Sequence, residues 1–131
     1  MVTSIPNTDL SNWVVLLVDD EPDSLNLLSE IMAAQGANVY RAPGGNECLV
    51  LLEQISPTLI ILDLAMPTPD GWELLGRIRA NPRQRHARVV AVTAFHSSSV
   101  EQAALRAGFD AFIPKPLKVG TLIAQLKEVV G

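Results

Sequence analysis

The sequence is poor in three things: it has a single cysteine, few aromatic side chains at 5%, and no surplus of positive charge. Cys48 alone cannot staple the chain. It falls on the apolar stripe Cys48, Leu51, Leu52 and Ile55, at i, i+3, i+4 and i+7, which reads as a buried structural thiol in a reducing compartment, with a redox role as runner-up. Ten basic against 14 acidic residues leave a formal net charge of -4. That balance argues against direct binding of nucleic acid, whose affinity is largely electrostatic. No apolar run approaches the ~18 residues of a membrane span, and the N-terminus lacks the basic start and apolar stretch of a signal peptide. A cytoplasmic protein without membrane contact is expected. Glycine is missing where a dinucleotide-binding turn needs it, because Asp20-Glu21-Pro22 follows the first apolar run. His86 and His96 have no Cys or acidic neighbours at metal-ligand spacing and read as surface residues.

What the chain does have is 48% hydrophobic residues in 131, enough for one domain with its own core. Short apolar runs alternate with amphipathic segments, the pattern of an α/β fold with a parallel sheet. Strands are expected at 14–19, 38–41, 58–63, 89–93 and 111–114. The run ending at Asp63 is almost wholly apolar, as a central strand covered on both faces should be. Helices are expected between these runs. The first has Pro22 in its opening turn, the second follows Pro43 to Gly45 and reaches about Ile55, and the third spans Trp72 to Ala80. In the fourth, Ser98 and Glu101 have capping-box spacing, Val100, Ala103, Ala104 and Ala107 form the inner face, and Gly108 closes the helix. Its small residues predict light anchoring. Val119, Leu122, Ile123, Leu126 and Val130 stripe the last helix. Residues 1–12 are expected as a loose tail before a domain at 13–131.

Right-handed crossovers bring the carboxyl ends of parallel strands to one edge, where ligands bind. Asp19, Asp20, Asp63, Thr93 and Lys115 all stand at strand ends. Two carboxylates ~5 Å apart repel by about 3 kcal/mol at an effective dielectric of ~20, so a hard cation such as Mg²⁺ is the expected companion. Asp63 is the candidate nucleophile, since a carboxylate attacking phosphorus forms an acyl phosphate. Lys115 and the cation would neutralise the phosphoryl oxygens and Thr93 would donate a hydrogen bond to one of them. The plain alternative, acids that only cap the following helices, accounts for Asp19 or Asp20 singly but not for five converging polar groups.

VVLLVDDEPDSLNLL, LIILDLAMPTPDGWELL, VVAVTA and AFIPKP, in that order, resemble the receiver domain of two-component response regulators over residues 13–130. The resemblance implies a flavodoxin-like, doubly wound five-stranded sheet of order 2-1-3-4-5 with helices on both faces. It implies phosphotransfer from a sensor histidine kinase or phosphotransfer protein to Asp63. Asp20 and Asp63 would bind Mg²⁺ directly together with the carbonyl of Ala65, Asp19 would act mostly through metal-bound water, and Lys115 would bridge to the phosphoryl group. As a signalling phosphoacceptor, such a domain catalyses only its own phosphorylation and dephosphorylation.

The same resemblance makes Thr93 and Phe112 the expected switch pair, with a plain core aromatic as the alternative for Phe112. It places the surface read by a downstream protein on the fourth helix, fifth strand and fifth helix. Ala65 and Phe95 carry no group that orients water, and Phe95 is expected either to shield the acyl phosphate, slowing its loss, or to point to solvent. Arg77, Arg79, Arg83, Arg85 and Arg88 read as a solvated face, with docking to an acidic partner as runner-up. Trp72 is expected against the start of the third helix, and Trp13 near strand one. An aspartyl-phosphate hydrolase would want D-x-D where the chain reads Asp63-Leu-Ala. A scaffold that never receives phosphate is the other rival. Output is open among a stand-alone regulator, a relay intermediate and a fragment of a longer chain.

Overall fold

A computed structural model describes residues 9–131. Five strands, β1 (Val14–Val18), β2 (Asn38–Ala42), β3 (Leu59–Asp63), β4 (Arg88–Thr93) and β5 (Ala111–Pro114), form one parallel sheet in the order β2-β1-β3-β4-β5. Helices α1 (Pro22–Ala34), α2 (Gly45–Leu52), α3 (Gly71–Ala80), α4 (Ser98–Ala107) and α5 (Val119–Val130) connect and follow them. The expected fold class and strand order are both present.

Alternation along the strands builds two cores. Leu16, Val18, Ile60, Leu62, Val89 and Ala91 point to one face, where they meet Cys48 and Leu52 of α2, Leu74, Leu75 and Ile78 of α3, and Ala104 of α4. Val15, Leu17, Leu59, Ile61, Val90 and Val92 point to the other, against Leu25, Leu28, Ile31 and Met32 of α1 and Leu122 and Leu126 of α5. Burial on both faces is why these strands read as unbroken apolar runs.

Several boundaries differ from expectation. The cap of α4 is Ser97, whose Oγ accepts the Val100 N–H at 3.2 Å, and not Ser98 with Glu101; Ser98 is already helical. The capping box belongs to α3 instead, where Asp70 accepts the Glu73 N–H and Glu73 accepts the Asp70 N–H. Three serines in a row made the fourth helix's cap ambiguous, and extended backbone decides for Ser97, at φ -158° and ψ 169°. Only Ala104 of α4 is buried and Ala107 is exposed, so the helix is anchored by less than its expected face. Helix α2 stops at Leu52, short of Ile55, and Gln84 Nε2 satisfies the carbonyls of Leu52 and Ile55 at 2.9 and 3.2 Å.

Of the expected tail, residues 1–8 lie outside the described residues. Leu10 is buried, and its N–H donates to the Gln35 carbonyl at 2.8 Å, so the ordered structure includes residues before Trp13. Cys48 is fully buried, and burial pushes its thiol up to about 12, far from a reactive thiolate. Trp72 packs edge-on against Phe109, ring centroids 5.9 Å apart.

Candidate phosphoryl-acceptor site

Register places the acids. Val18 pairs with Leu62, so the next residues, Asp19 and Asp63, emerge side by side at the carboxyl edge of adjacent strands. Asp63 in turn pairs with Val92, which puts Thr93 one residue beyond. The Lys115 N–H donates to the Thr93 carbonyl at 2.9 Å, and this fixes the start of the last loop at the same edge.

Asp19, Asp20 and Asp63 can bring carboxylate oxygens within 4.8 Å of one another. Asp19 and Asp63 are buried, whereas Asp20 is exposed. Asp19 is held at both oxygens: Oδ1 accepts the Glu21 N–H at 2.9 Å and Oδ2 accepts Lys115 Nζ at 2.9 Å. Asp63 Oδ1 accepts the Ala65 N–H at 3.1 Å, and its Oδ2 lies 3.4 Å from Lys115 Nζ. Burial pushes the Asp63 carboxyl up from 3.8 to about 6; the Ala65 N–H and the Lys115 charge oppose that rise, and the charge of Asp19 adds to it. Burial alone would lower the Lys115 ammonium, but the hydrogen bond to Asp19 and the charges of Asp63 and Asp19 outweigh it, so it is raised and stays protonated.

Asp19, Asp20 and Asp63 therefore cluster with one ammonium, which pairs with Asp19 and Asp63 but not with the exposed Asp20, and the set is one divalent cation short of balance. Hard carboxylate oxygens, one of them open to solvent, fit a divalent ion of the Mg²⁺ type.

Gly71 makes this arrangement possible. A Cβ there would sit 2.5 Å from the Asp63 carbonyl oxygen and 2.9 Å from Leu64 Cα, so only glycine lets α3 begin against the end of β3. Gly45 does the same for the loop above, where a Cβ would meet the Pro69 carbonyl at 2.3 Å.

The other expected residues take different places. Thr93 is buried at the edge, but its Oγ1 accepts the Phe95 N–H at 3.1 Å, and among the described residues it makes no hydrogen bond to the acids. Thr93 lines a cavity of about 330 Å³ together with Ala65, Met66 and Trp72. Phe95 also lines it and is 76% exposed. Phe112 is half-buried on β5 against the α2–α4 core. His86 and His96 are exposed. Arg79 is not part of a free basic face, since it pairs with Asp110 at 2.9 Å.

Two participants were not anticipated. Ser24 Oγ and Glu21 Oε1 lie 3.1 and 3.4 Å from Lys115 Nζ. Their signal was the i, i+3 spacing around Pro22, which starts α1 and aims both side chains at the same edge. Beyond them, Ser24, Leu27, Ala94, Lys115, Pro116 and Leu117 line an apolar groove of about 360 Å³.

Residues 15–127 match the family model of the response regulator receiver domain. A protein of Leptolyngbya boryana described as an uncharacterized 14.6 kDa protein in the sodA1 3' region is 40% identical over 119 residues, covering 91% of each chain. The polar-differentiation response regulator DivK of Brucella ovis is 31% identical over 117 residues, covering 89% of this chain and 95% of its own. Among solved structures, the chemotaxis response regulator CheY4 of Vibrio cholerae superposes with a TM-score of 0.83 at 26% identity, over 89% of this chain and 98% of that one.

Proposed function

We propose, from the premise that this chain belongs to the response regulator receiver family, that Asp63 accepts a phosphoryl group from a histidine kinase or phosphotransfer protein in a Mg²⁺-dependent reaction. The family's members are signalling phosphoacceptors rather than turnover enzymes. The observation that carries the reading is the buried Asp63 carboxylate with Asp19, Asp20 and Lys115 converging on it.

An Asp63 carboxylate oxygen attacks phosphorus, the P–N bond to the donor imidazole breaks, and its electron pair returns to the ring. The product is an acyl phosphate on Asp63. The Ala65 N–H holds Asp63 Oδ1 at 3.1 Å and so turns the other oxygen, Oδ2, toward the incoming group. Asp20, Asp63 and the Ala65 carbonyl would hold Mg²⁺, and Asp19 would add its charge to the site. When bound, the ion supplies charge neutralisation for the acids and for the phosphoryl oxygens. Lys115 supplies the second positive charge and Thr93 a hydroxyl, once that hydroxyl leaves the Phe95 N–H.

Switching follows from the same pieces. Thr93 moving toward the phosphoryl group opens space that Phe112 can enter, and α4, buried only at Ala104, is the helix least held in place. The face of α4, β5 and α5 is then the one a downstream protein reads in the cytoplasm.

The test is intact mass after incubation with Mg²⁺ and acetyl phosphate. A single phosphoryl adduct that needs the metal and is absent in Asp63→Asn is expected. No adduct from acetyl phosphate or from a phosphorylated histidine donor would turn the reading to a phosphate-independent scaffold.

A further inference from the structure

Lys115 has more acceptors than protons to offer them. An ammonium carries three donors, yet four oxygens lie within reach of Nζ: Asp19 Oδ2 at 2.9 Å, Ser24 Oγ at 3.1 Å, and Glu21 Oε1 and Asp63 Oδ2 at 3.4 Å each. The two shortest contacts come from the end of β1 and the first turn of α1, so the ammonium leans away from Asp63. Ser24 is oriented for this contact. Its hydroxyl donates to Glu21 Oε1 at 3.1 Å, which leaves its lone pairs for Lys115. The hydroxyl has no capping duty either, because α1 begins at Pro22 with no side-chain cap hydrogen bond.

We propose that Ser24, oriented by Glu21, is a positioning residue that parks the Lys115 ammonium against α1 while Asp63 is unmodified. The proposal rests on reading Asp63 as the phosphoacceptor, since release of Lys115 toward a phosphoryl group on Asp63 gives the latch its purpose. A neutral hydroxyl suits a latch that must open. It holds the ammonium more weakly than a carboxylate does, and leaving it strands no buried charge. Asp19 keeps Lys115 within the site throughout, and Ser24 decides on which side of Asp19 it rests.

Two measurements on wild type, Ser24→Ala, Ser24→Thr and Glu21→Gln test this. The first needs no phosphate: the ¹⁵N signal of the Lys115 ammonium in metal-free protein, assigned by its loss in Lys115→Arg. A slowly exchanging signal in wild type and Ser24→Thr, with severalfold faster exchange in Ser24→Ala and an intermediate rate in Glu21→Gln, is expected. The second is the rate of adduct formation from acetyl phosphate at saturating Mg²⁺. It should rise about threefold in Ser24→Ala, the size of one modest hydrogen bond, and return to the wild-type rate in Ser24→Thr. An unchanged ammonium signal or a slower adduct in Ser24→Ala overturns the parking role. Absence of an adduct in wild type counts against Asp63 as acceptor, and the ammonium signal then decides the latch by itself.

Discussion

The two ends of the parallel sheet treat their polar groups in opposite ways. Where the strands begin, polar side chains close the structure. Thr58 Oγ1 accepts the Val14 N–H at 3.1 Å, and Asp110 Oδ2 takes both the Val89 N–H at 2.8 Å and the Arg79 guanidinium at 2.9 Å. Arg79 also donates to the carbonyls of Ala87 and Gly108 at 3.1 and 2.8 Å, tying α3 to the end of α4. Where the strands end, three aspartates cluster beside one ammonium, and burial raises Asp63 to about 6. The closed end stabilises the fold, and the open end stores electrostatic tension for a ligand to relieve. The comparison implies that the ends are separable, and four substitutions test whether they are.

The largest effect is expected at Gly71→Ala. Its Cβ meets backbone rather than a flexible side chain, so urea unfolding should show a loss of about 1–3 kcal/mol, as overpacking gives. Adduct formation on Asp63 should fall with it, because the Asp63 carbonyl must shift. A stable variant with normal phosphorylation would show that α3 does not set the position of Asp63.

Next comes Arg79→Ala at the closed end. Losing its contacts to Asp110, Ala87 and Gly108 should cost about 1–2 kcal/mol in the same assay. The adduct rate should stay within about twofold of wild type. A large change in that rate would break the comparison, since the ends would then communicate through α4.

Asp63→Asn should move stability the other way. A carboxyl raised from 3.8 to about 6 binds its proton more tightly in the folded than in the unfolded chain. Metal-free stability should therefore fall as pH rises from about 4 to about 6, and stay lower above that window. Asp63→Asn removes the fall and should gain on the order of 1 kcal/mol at neutral pH. Thermal unfolding in chelator across that pH range reads the slope in both proteins. A flat wild-type profile would mean that the open end is not under tension.

The smallest effect is expected at Gly76→Ala, the control for Gly71 within the same helix. Nothing lies within 4 Å of a Cβ at Gly76, and alanine is the better helix former, so stability should rise by up to about 1 kcal/mol.

Much of the fold was legible because burial on two faces leaves a plain record. Runs such as Leu59 to Leu62 are apolar throughout, and the helices between them carry their stripes at helical spacing. Helix ends were less legible. Ser97, Ser98 and Ser99 are equally good capping residues, and only the backbone conformation chose among them. The end of α2 at Leu52 was hard to read, and Gln84, which satisfies the Leu52 carbonyl, lies 32 residues away. In the site, the acids and Lys115 were readable as strand-end residues, whereas the i, i+3 spacing of Glu21 and Ser24 showed only that they share a face, since nothing local tells a helix's first turn which loop will meet that face.

The sequence by itself determined the order of strands and helices, the apolar faces that pair them, and the placement of Asp19, Asp63, Thr93 and Lys115 at strand ends. These follow from periodicity and from the handedness of the chain, which act over a few residues or one crossover at a time. The tertiary structure alone decided the pairing of Val18 with Leu62 that sets Asp19 beside Asp63, and the side of Asp19 on which Lys115 rests. It also decided the burial that raises Asp63. Each of these depends on distances between segments far apart in the chain, and those distances exist only once both cores have packed against the sheet.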